Sequence, residues 1–307
     1  MVDLSILIVC YKAKDLIDDC LSGVYKYTSS ECNYEVLLVD CSNDGTVDLV
    51  REKYPQVRII ENSENLGYGK GNNFLAEHAV GNYILLLNPD VIVSDDAIGE
   101  LYRTAVAHPE AGAVGGVTRL RDGSYDPGCR QYVPTLFRLT AGALGGGRFL
   151  NGALPEGATE AGEVDTLTGA FMLVRRDAWN QLQGFDTSFF MYSEELDLCQ
   201  RLKKQGWSVL MTPRAQIIHL VGGGQKQSPR RILLIAQSRM HFFRKYWNRP
   251  QVVLGGTLVW LHAFIRVAGG TVASTLLRSS RGKDLTQAYG PIVFQPGSWW
   301  GGYQREH

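Results

Sequence analysis

The strongest constraint on the fold of this chain is an alternation of short apolar runs with helix-like segments over roughly its first 90 residues. The runs are apolar and β-branched throughout, rather than alternately apolar and polar, which is typical of strands buried on both faces of a sheet. Because helix-like segments separate them, the runs predict a largely parallel sheet covered by helices. The predicted strands are Leu4–Cys10, Tyr34–Asp40, 57–60 and Tyr83–Leu87.

Polar segments follow each of these predicted strands. In sheets of this class ligands bind beyond the carboxyl ends of the strands, so those segments form a candidate binding site. Segment 65–73 is rich in glycine and is predicted to open a helix at residue 71, which suits a phosphate-bearing ligand. Neither a dinucleotide-binding G-x-G-x-x-G after the first strand nor a P-loop is present. Asp40 and Asp44 fit either a ligand site or ordinary turn caps.

A second candidate site lies further along, where Glu194, Glu195 and Asp197 follow an aromatic run. If a helix begins here, its dipole favours carboxylates in the first turn, and that electrostatic role is one interpretation. The other is catalytic, because neighbouring aromatic rings desolvate a carboxylate and raise its pKa toward that of a useful general base. His219 ends a further apolar strand before the glycines at 222–224, and imidazole is a common metal ligand.

The charges are unevenly distributed, although 31 basic and 31 acidic residues give a net charge of zero. Residues 1–197 carry 15 basic and 29 acidic side chains, whereas residues 198–283 carry 15 basic and no acidic ones. The basic stretch predicts attraction to phosphates or to an anionic surface, with a plainly solvated basic face as the alternative. The composition, 45% hydrophobic and 20% charged, excludes a disordered or fibrous chain.

The cysteines and the N-terminus indicate a cytoplasmic protein. None of the six cysteines forms a C-x-x-C pair, so reduced thiols are expected. The first residues lead directly into a predicted strand and show no signal-peptide pattern.

The C-terminal region, through residues 238–283, predicts peripheral contact with the cytoplasmic face of the inner membrane. Basic and aromatic residues interleave at 238–247, which suits anionic headgroups or a lipid-linked phosphate; no recognised nucleic-acid-binding module accompanies them. Segment 252–277 is apolar, but Arg266 and four glycines argue against one spanning helix, so an interfacial amphipathic helix or helix pair is expected. Packing on the protein's own core or a dimer interface is the alternative, which leaves homo-oligomerisation open.

The order and spacing of eight motifs across residues 3–247 resemble the family-2 glycosyltransferases, which are inverting nucleotide-sugar enzymes of the GT-A fold. Within that family the chain is most similar to the bacterial rhamnosyltransferase-like branch, which uses dTDP-rhamnose and builds cell-surface polysaccharide on lipid-linked acceptors. The motifs lie at 5–12, 40–46, 65–73, 87–90, 168–171, 184–186, 191–199 and 206–207.

The resemblance implies an α/β fold of the GT-A type, with a mostly parallel central sheet flanked by helices and a helical C-terminal extension. The implied domain comprises residues 1–230, with a nucleotide-binding half at 1–125 and an acceptor-side half at 126–230. A basic and apolar helical region would follow at 231–307. The implied function is inverting transfer of a sugar, L-rhamnose from dTDP-rhamnose, to a hydroxyl of a glycan or lipid-linked acceptor. A nucleotidyltransferase and a non-catalytic nucleotide-sugar-binding protein are the alternatives.

The resemblance also implies residue roles. Glu195 would be the catalytic base, with Glu194 and Asp197 shaping the site, and Asp90 and His219 would bind a divalent cation, Mg²⁺ or Mn²⁺. The nucleotide of a dTDP- or UDP-sugar would be bound by Cys10, Tyr11, Lys12, Asp40, Ser42, Gly67, Lys70, Asn73 and Asn88.

The sequence departs from the family pattern at four points. Position 12 is Lys where Asn is usual, position 10 is Cys where Thr is common, and position 195 is Glu where Asp is usual. The metal motif at 88–90 offers one Asp rather than two. The diphosphate of the donor would then hold much of the cation, as Mg²⁺ commonly keeps few protein ligands.

Overall fold

A computed structural model of the protein describes residues 2–62, 64–146, 152–155, 157–220 and 228–303. The glycines at 222–224 that follow His219 lie outside the described residues. The chain divides into two compact units. Unit 1 comprises Met1–Tyr132, Gly152–Thr187 and Glu195–Gly224, and unit 2 comprises Val133–Asn151, Ser188–Glu194 and Gln225–His307.

The first part of unit 1 has the predicted alternation of strands and helices. Four strands pair in the order β3-β2-β1-β4, and every pairing among them is parallel. Cys10 at the end of β1 lies opposite Asp40 at the end of β2, so the two carboxyl ends share one edge of the sheet. The elements are β1 (Leu4–Cys10), α1 (Ile17–Tyr27), β2 (Tyr34–Asp40), α2 (Thr46–Lys53), β3 (Arg58–Ile59), α3 (Gly67–His78) and β4 (Tyr83–Leu87).

The sheet of unit 1 continues beyond β4 with mixed strand directions. Among the described residues nine strands form one sheet, in the order β3-β2-β1-β4-β8-β6-β9-β5, with β7 also paired to β9. β6 and β9 are parallel, whereas the other pairings beyond β4 are antiparallel. These elements are β5 (Val91–Ile92), α4 (Ala97–Ala107), β6 (Ala111–Arg119), a 3₁₀ turn (Pro127–Arg130), β7 (Gly162–Glu163), β8 (Phe171–Arg175), α6 (Arg176–Leu182), α7 (Glu194–Lys204) and β9 (Ser208–His219).

The predicted burial of the strands on both faces is confirmed. On β1, Leu4, Ile6 and Ile8 belong to one apolar cluster, and Leu7 belongs to a second cluster on the other face. A central sheet flanked by helices is therefore also confirmed, because two separate cores cover its two sides.

Helix α3 begins earlier than its sequence predicts. The glycine-rich segment was expected to be a loop until residue 71, but the helix starts at Gly67. Glycine weakens a helix in isolation, and tertiary packing compensates for it here. A Cβ on Gly71 would lie 2.8 Å from a methyl carbon of Val9, so the missing side chain lets α3 pack closely on β1.

Unit 2 contains the predicted C-terminal helices. Of the single helix or helix pair expected for segment 252–277, the structure has the single helix, because α9 runs without interruption for 28 residues. Its glycines are packing positions instead: a Cβ on Gly270 would lie 2.7 Å from the carbonyl oxygen of Gly282 in the next helix. The helices of unit 2 are α5 (Leu136–Ala143), α8 (Pro229–Tyr246), α9 (Arg249–Leu276) and α10 (Ser280–Phe294), followed by a 3₁₀ turn at Pro296–Ser298.

Candidate active site

Hydrogen bonds join the loops that follow β1 and β2. The amide N–H of Lys12 donates to Ser42 Oγ at 2.8 Å, and the amide N–H of Lys14 donates to Asp44 Oδ2 at 3.1 Å. The predicted nucleotide-binding residues Lys12, Asp40 and Ser42 therefore lie together at the sheet edge. Asp44, which also accepts hydrogen bonds from Thr46, is the turn cap that the sequence allowed.

Asp40 is a buried carboxylate held in a fixed orientation. Its Oδ1 accepts hydrogen bonds from the Ser42 amide at 3.1 Å and from Ser42 Oγ at 2.9 Å. Burial raises the pKa of Asp40, and the two bonds from Ser42 oppose that rise. Among the described residues both hydrogen bonds to this carboxylate end on Oδ1, so Oδ2 remains available as an acceptor for a ligand.

Cys10 and Tyr11, at the end of β1, differ in how accessible their side chains are to a ligand. The side chain of Cys10, predicted to line the nucleotide pocket, is fully buried in the core. Burial raises its pKa well above the ordinary value, which leaves the thiol inert. Tyr11 is exposed, and Lys12 has φ of 54°. This left-handed backbone suits asparagine better than lysine, which gives a physical reason for the asparagine usual in the family.

Asn73, predicted to lie beside the ribose and diphosphate, makes backbone contacts with its side-chain amide. Its Nδ2 donates to the carbonyl of Phe185 at 2.9 Å, and its Oδ1 accepts from the Phe185 amide at 2.8 Å. The side-chain amide thus ties α3 to the turn after α6. Lys70 of α3 is exposed and remains open to a ligand, whereas Gly67 in the first turn of the helix is buried.

We expect Asn73→Ala to lower the free energy of unfolding by about 2 kcal/mol, since two backbone hydrogen bonds of about 1 kcal/mol each are lost. The affinity for nucleotide should change less than about twofold, because the side chain makes structural contacts. Urea unfolding and calorimetric titration with dTDP measure the two quantities. A large loss of affinity with unchanged stability would show instead that Asn73 binds the nucleotide, as the sequence predicts.

The predicted metal ligands Asp90 and His219 are adjacent. Asp90 directly precedes β5, and β5 pairs with β9 so that Val91 lies opposite His219. His219 Nε2 lies 3.3 Å from Asp90 Oδ1. On the other side of the ring, Nδ1 is 2.7 Å from Oδ2 of Asp126, which is almost fully buried. No motif in the sequence identified Asp126, whose only signal is an Asp-Pro step typical of a turn.

The electrostatics of this group are unusual for a histidine. Burial lowers the pKa of His219, but the hydrogen bond to Asp126 and the nearby Asp90 outweigh it and raise the pKa to about 9. Asp90 Oδ1 lies within ion-pair distance of the ring, yet it is buried without a well-aligned hydrogen bond from any described residue. This oxygen and the ring nitrogen fit a divalent cation, which would replace the imidazolium proton.

The fit for a cation is limited to these two donors. Among the residues that the structure describes, no group of three or more His, Cys, Asp or Glu side chains is arranged to hold a metal ion. The third acidic group, Asp126, is engaged with the far side of the imidazole. A cation held here would take further ligands from the donor, which agrees with the single Asp of the metal motif.

The predicted base, Glu195, is a buried carboxylate on α7. Gln131 Nε2 donates to Glu195 Oε1 at 3.0 Å, and Gln131 is a second residue that no sequence motif identified. Burial raises the pKa of Glu195 and the hydrogen bond from Gln131 opposes the rise. A carboxylate with a raised pKa in a fixed orientation is suited to general-base chemistry.

The other two carboxylates of the cluster are buried as well. Asp197 accepts a hydrogen bond from Arg201 Nε at 2.7 Å, and Arg201 also donates to the carbonyls of Leu182 and Gly184. Through Arg201, Asp197 is therefore linked to the backbone at and just after the end of α6, which is a structural role within unit 1. Glu194, at the start of α7, is almost fully buried.

Comparison with solved structures identifies the fold of the chain. A mannosyltransferase from Pyrobaculum calidifontis in complex with GDP-Man and Mn²⁺ aligns with a TM-score of 0.61 at 17% identity, covering 94% of this chain and 84% of that one. GalNAc-T7 with UDP, GalNAc and Mn²⁺ aligns with a TM-score of 0.59 at 13% identity, covering 97% and 57%. The fold is therefore that of the GT-A glycosyltransferases.

Sequence comparison gives the family. The profile described as "Glycosyltransferase like family 2" matches residues 3–240, and the chain belongs to this family. It is 32% identical over 280 residues to an N-acetylglucosaminyl-diphospho-decaprenol L-rhamnosyltransferase of Mycobacterium tuberculosis, covering 83% of this chain and 89% of the relative. It is 28% identical over 235 residues to a poly-β-1,6-N-acetyl-D-glucosamine synthase of Staphylococcus aureus, covering 74% and 53%.

Proposed function

We propose that the protein transfers L-rhamnose from dTDP-rhamnose to a hydroxyl of a lipid-linked N-acetylglucosamine acceptor, with inversion at the anomeric carbon. The observation that supports this most is the similarity to the mycobacterial L-rhamnosyltransferase, which extends over most of both chains. The family profile, which matches residues 3–240, includes the segments that carry the proposed site. A nucleotidyltransferase and a non-catalytic binding protein are less favoured, because the relatives named above are sugar transferases or synthases.

Nucleotide binding is assigned to the edge where β1 and β2 end. Asp40 Oδ2 would accept the ring N–H of the pyrimidine, while Ser42 holds the other oxygen. The exposed Tyr11 and Lys12 would lie beside the base and phosphates. Gly67, Lys70 and Asn88 would complete the pocket for the sugar diphosphate.

A divalent cation, Mg²⁺ or Mn²⁺, would be held by Asp90 and His219 and would stabilise negative charge on the leaving diphosphate when bound. Lys70, an exposed cation on α3, would add positive charge to the same leaving group. Glu195 would accept the proton of the acceptor hydroxyl as it attacks the anomeric carbon from the opposite face. Gln131 would keep the Glu195 carboxylate oriented during this step.

A donor screen tests the proposed function. Wild-type protein is incubated with dTDP-rhamnose, UDP-N-acetylglucosamine or UDP-glucose and a short-chain polyprenyl-diphospho-N-acetylglucosamine acceptor. We expect release of dTDP that requires the acceptor, and a product one deoxyhexose heavier than the acceptor by mass spectrometry. Transfer from a UDP-sugar alone would contradict the rhamnose donor while preserving the class of reaction.

We further propose that unit 2 contacts the membrane through one face of α9. Val252, Val259, Ala263 and Val267 of this helix are buried, and an opposite stripe is exposed although it is largely apolar. A helix that is apolar on both faces needs a second apolar partner, and a lipid surface supplies one. The exposed apolar side chains of α9 are Val253, Leu254, Phe264, Ile265, Val272 and Leu276.

Charge supports a lipid surface as that partner. Residues 228–283 carry ten basic and no acidic side chains. Arg266, the charge inside the apolar segment, donates to His262 Nε2 at 2.7 Å and lies 5.2 Å from the ring centre of Tyr289 on α10. The charge therefore has partners within unit 2. The helix is also long and apolar enough to cross a membrane, although 39% of its most apolar window is buried in the protein.

We expect the double variant Ile265→Gln, Val272→Gln to bind vesicles of phosphatidylglycerol at least tenfold more weakly than wild type. Burial of each such side chain is worth about 1.5–3 kcal/mol, so losing two removes much of the attraction. Vesicle co-sedimentation at low and high salt measures binding, and Val80→Gln replaces an exposed apolar residue of unit 1 as the matched control. Wild-type protein that stays in the supernatant at low salt would contradict the proposed contact of α9 with a membrane.

A further inference from the structure

Asp126 is a buried carboxylate next to the proposed metal ligands, and the mechanism above leaves it without a role. It ends the bend after β6 and caps the 3₁₀ turn Pro127–Arg130, since its Oδ1 accepts the amide N–H of Gly128 at 3.0 Å. Its own amide donates to the carbonyl of Thr118 at 3.0 Å. Backbone contacts on both sides therefore fix its carboxylate in place.

The remaining carboxylate oxygen faces the imidazole. Asp126 Oδ2 lies 2.7 Å from His219 Nδ1, a short distance typical of a charge-assisted hydrogen bond. A histidine that donates Nδ1–H to a carboxylate leaves Nε2 to bind a metal, and metal-binding histidines almost always donate their other ring N–H to a carboxylate, a backbone carbonyl or water. Nε2 is the atom that lies 3.3 Å from Asp90 Oδ1, the buried oxygen that receives no aligned hydrogen bond from the described residues.

We propose that Asp126 is a positioning residue: its carboxylate holds Nδ1–H of His219 and thereby directs Nε2 toward Asp90 as the nitrogen ligand of a divalent cation. This inference rests on the proposed function, which names Asp90 and His219 as the ligands of the cation. It adds a residue that acts on the cation only through His219.

The variant Asp126→Asn tests this with almost no change in shape. The amide N–H of Gly128 must still find an oxygen, so the new side chain should place its oxygen there and its NH₂ toward His219. Two donors would then face each other at Nδ1. The imidazole relieves this by carrying its proton on Nε2, where it blocks the nitrogen that faces Asp90.

The experiment measures binding of Mn²⁺ to the full chain in the presence of dTDP. The electron paramagnetic resonance signal gives the concentration of free Mn²⁺, and the difference from the total gives the bound Mn²⁺. We expect Asp126→Asn to weaken Mn²⁺ binding about 10- to 100-fold, the usual effect of removing a carboxylate behind a histidine ligand. Asp122→Asn is the matched control, because Asp122 is an exposed turn carboxylate that contacts Ser124. Near-ultraviolet circular dichroism reports whether the variant keeps its fold.

A double variant separates positioning from a general structural effect. In a His219→Gln background, Asp126→Asn should change Mn²⁺ affinity less than about threefold, because the residue through which it acts is gone. An equal loss in both backgrounds would overturn the proposal, as would unchanged affinity of Asp126→Asn or no Mn²⁺ binding by wild type. Sugar transfer without Mn²⁺ binding would reject only the inference, whereas the expected Mn²⁺ result without transfer from any donor would reject only the proposed function.

Discussion

Glu195→Gln is expected to lower turnover by about 10²–10⁴-fold, the usual contribution of a general base. The substitution keeps the size of the side chain, and its remaining oxygen can still accept the hydrogen bond from Gln131. What it loses is the ability to take a proton. The affinity for dTDP should therefore remain within about twofold of wild type, and dTDP release with acceptor present measures the rate.

The conservative variant Glu195→Asp is the control for this experiment. Aspartate is the usual residue of the family, but here it would be one methylene short of the Gln131 contact, so we expect partial activity. Burial raises the pKa of Glu195, and a base must be deprotonated to act. As the pH is lowered, wild-type activity should therefore begin to fall at a pH above the ordinary pKa of glutamate. Near-normal turnover of Glu195→Gln would remove Glu195 from the role of base.

Asp90→Ala is expected to lower turnover by about 10²–10³-fold, a loss typical of removing one stabilising group from a charge-developing site. It deletes the buried oxygen that faces His219 Nε2 and leaves a single protein donor for a cation. The enhancement of dTDP binding by Mn²⁺, measured by calorimetry with and without the metal, should disappear.

Asp95→Ala is a suitable control, because Asp95 is an exposed carboxylate close to Asp90 in the sequence. We expect it to keep both turnover and the effect of Mn²⁺. An Asp90→Ala protein whose nucleotide binding still tightens with Mn²⁺ would show that the cation is held elsewhere.

The fold was largely predictable because its central strands are buried on both faces. That burial requires continuous apolar runs, which a sequence displays directly, as in Leu4–Cys10 and Tyr83–Leu87. What the sequence left wrong or open concerns glycines: the early start of α3 and the choice of one helix rather than a pair for α9 both depend on close packing at glycine. Packing of this kind overrides local propensity and leaves no local signal.

The placement of Asp40, Asp90 and His219 at or near strand ends was predictable, because each lies at the end of an apolar run or just after one. The residues that hold those groups were not predictable. Asp126 is 93 residues from His219 in the sequence and Gln131 is 64 residues from Glu195, and neither belongs to one of the sequence motifs. The contacts of Asn73 with Phe185 were not predictable either, because an amide beside a glycine-rich segment suits a ligand and a backbone contact equally well.

The 3₁₀ turn Pro127–Arg130 links the two halves of the proposed chemistry. Asp126 precedes it and contacts His219, while Gln131 follows it and contacts Glu195. Four residues that start with a proline leave little freedom for one end to move without the other. Substitutions that shift this turn should therefore damage leaving-group stabilisation and proton abstraction together, so that donor preference and acceptor reactivity cannot be tuned separately by changes in this segment.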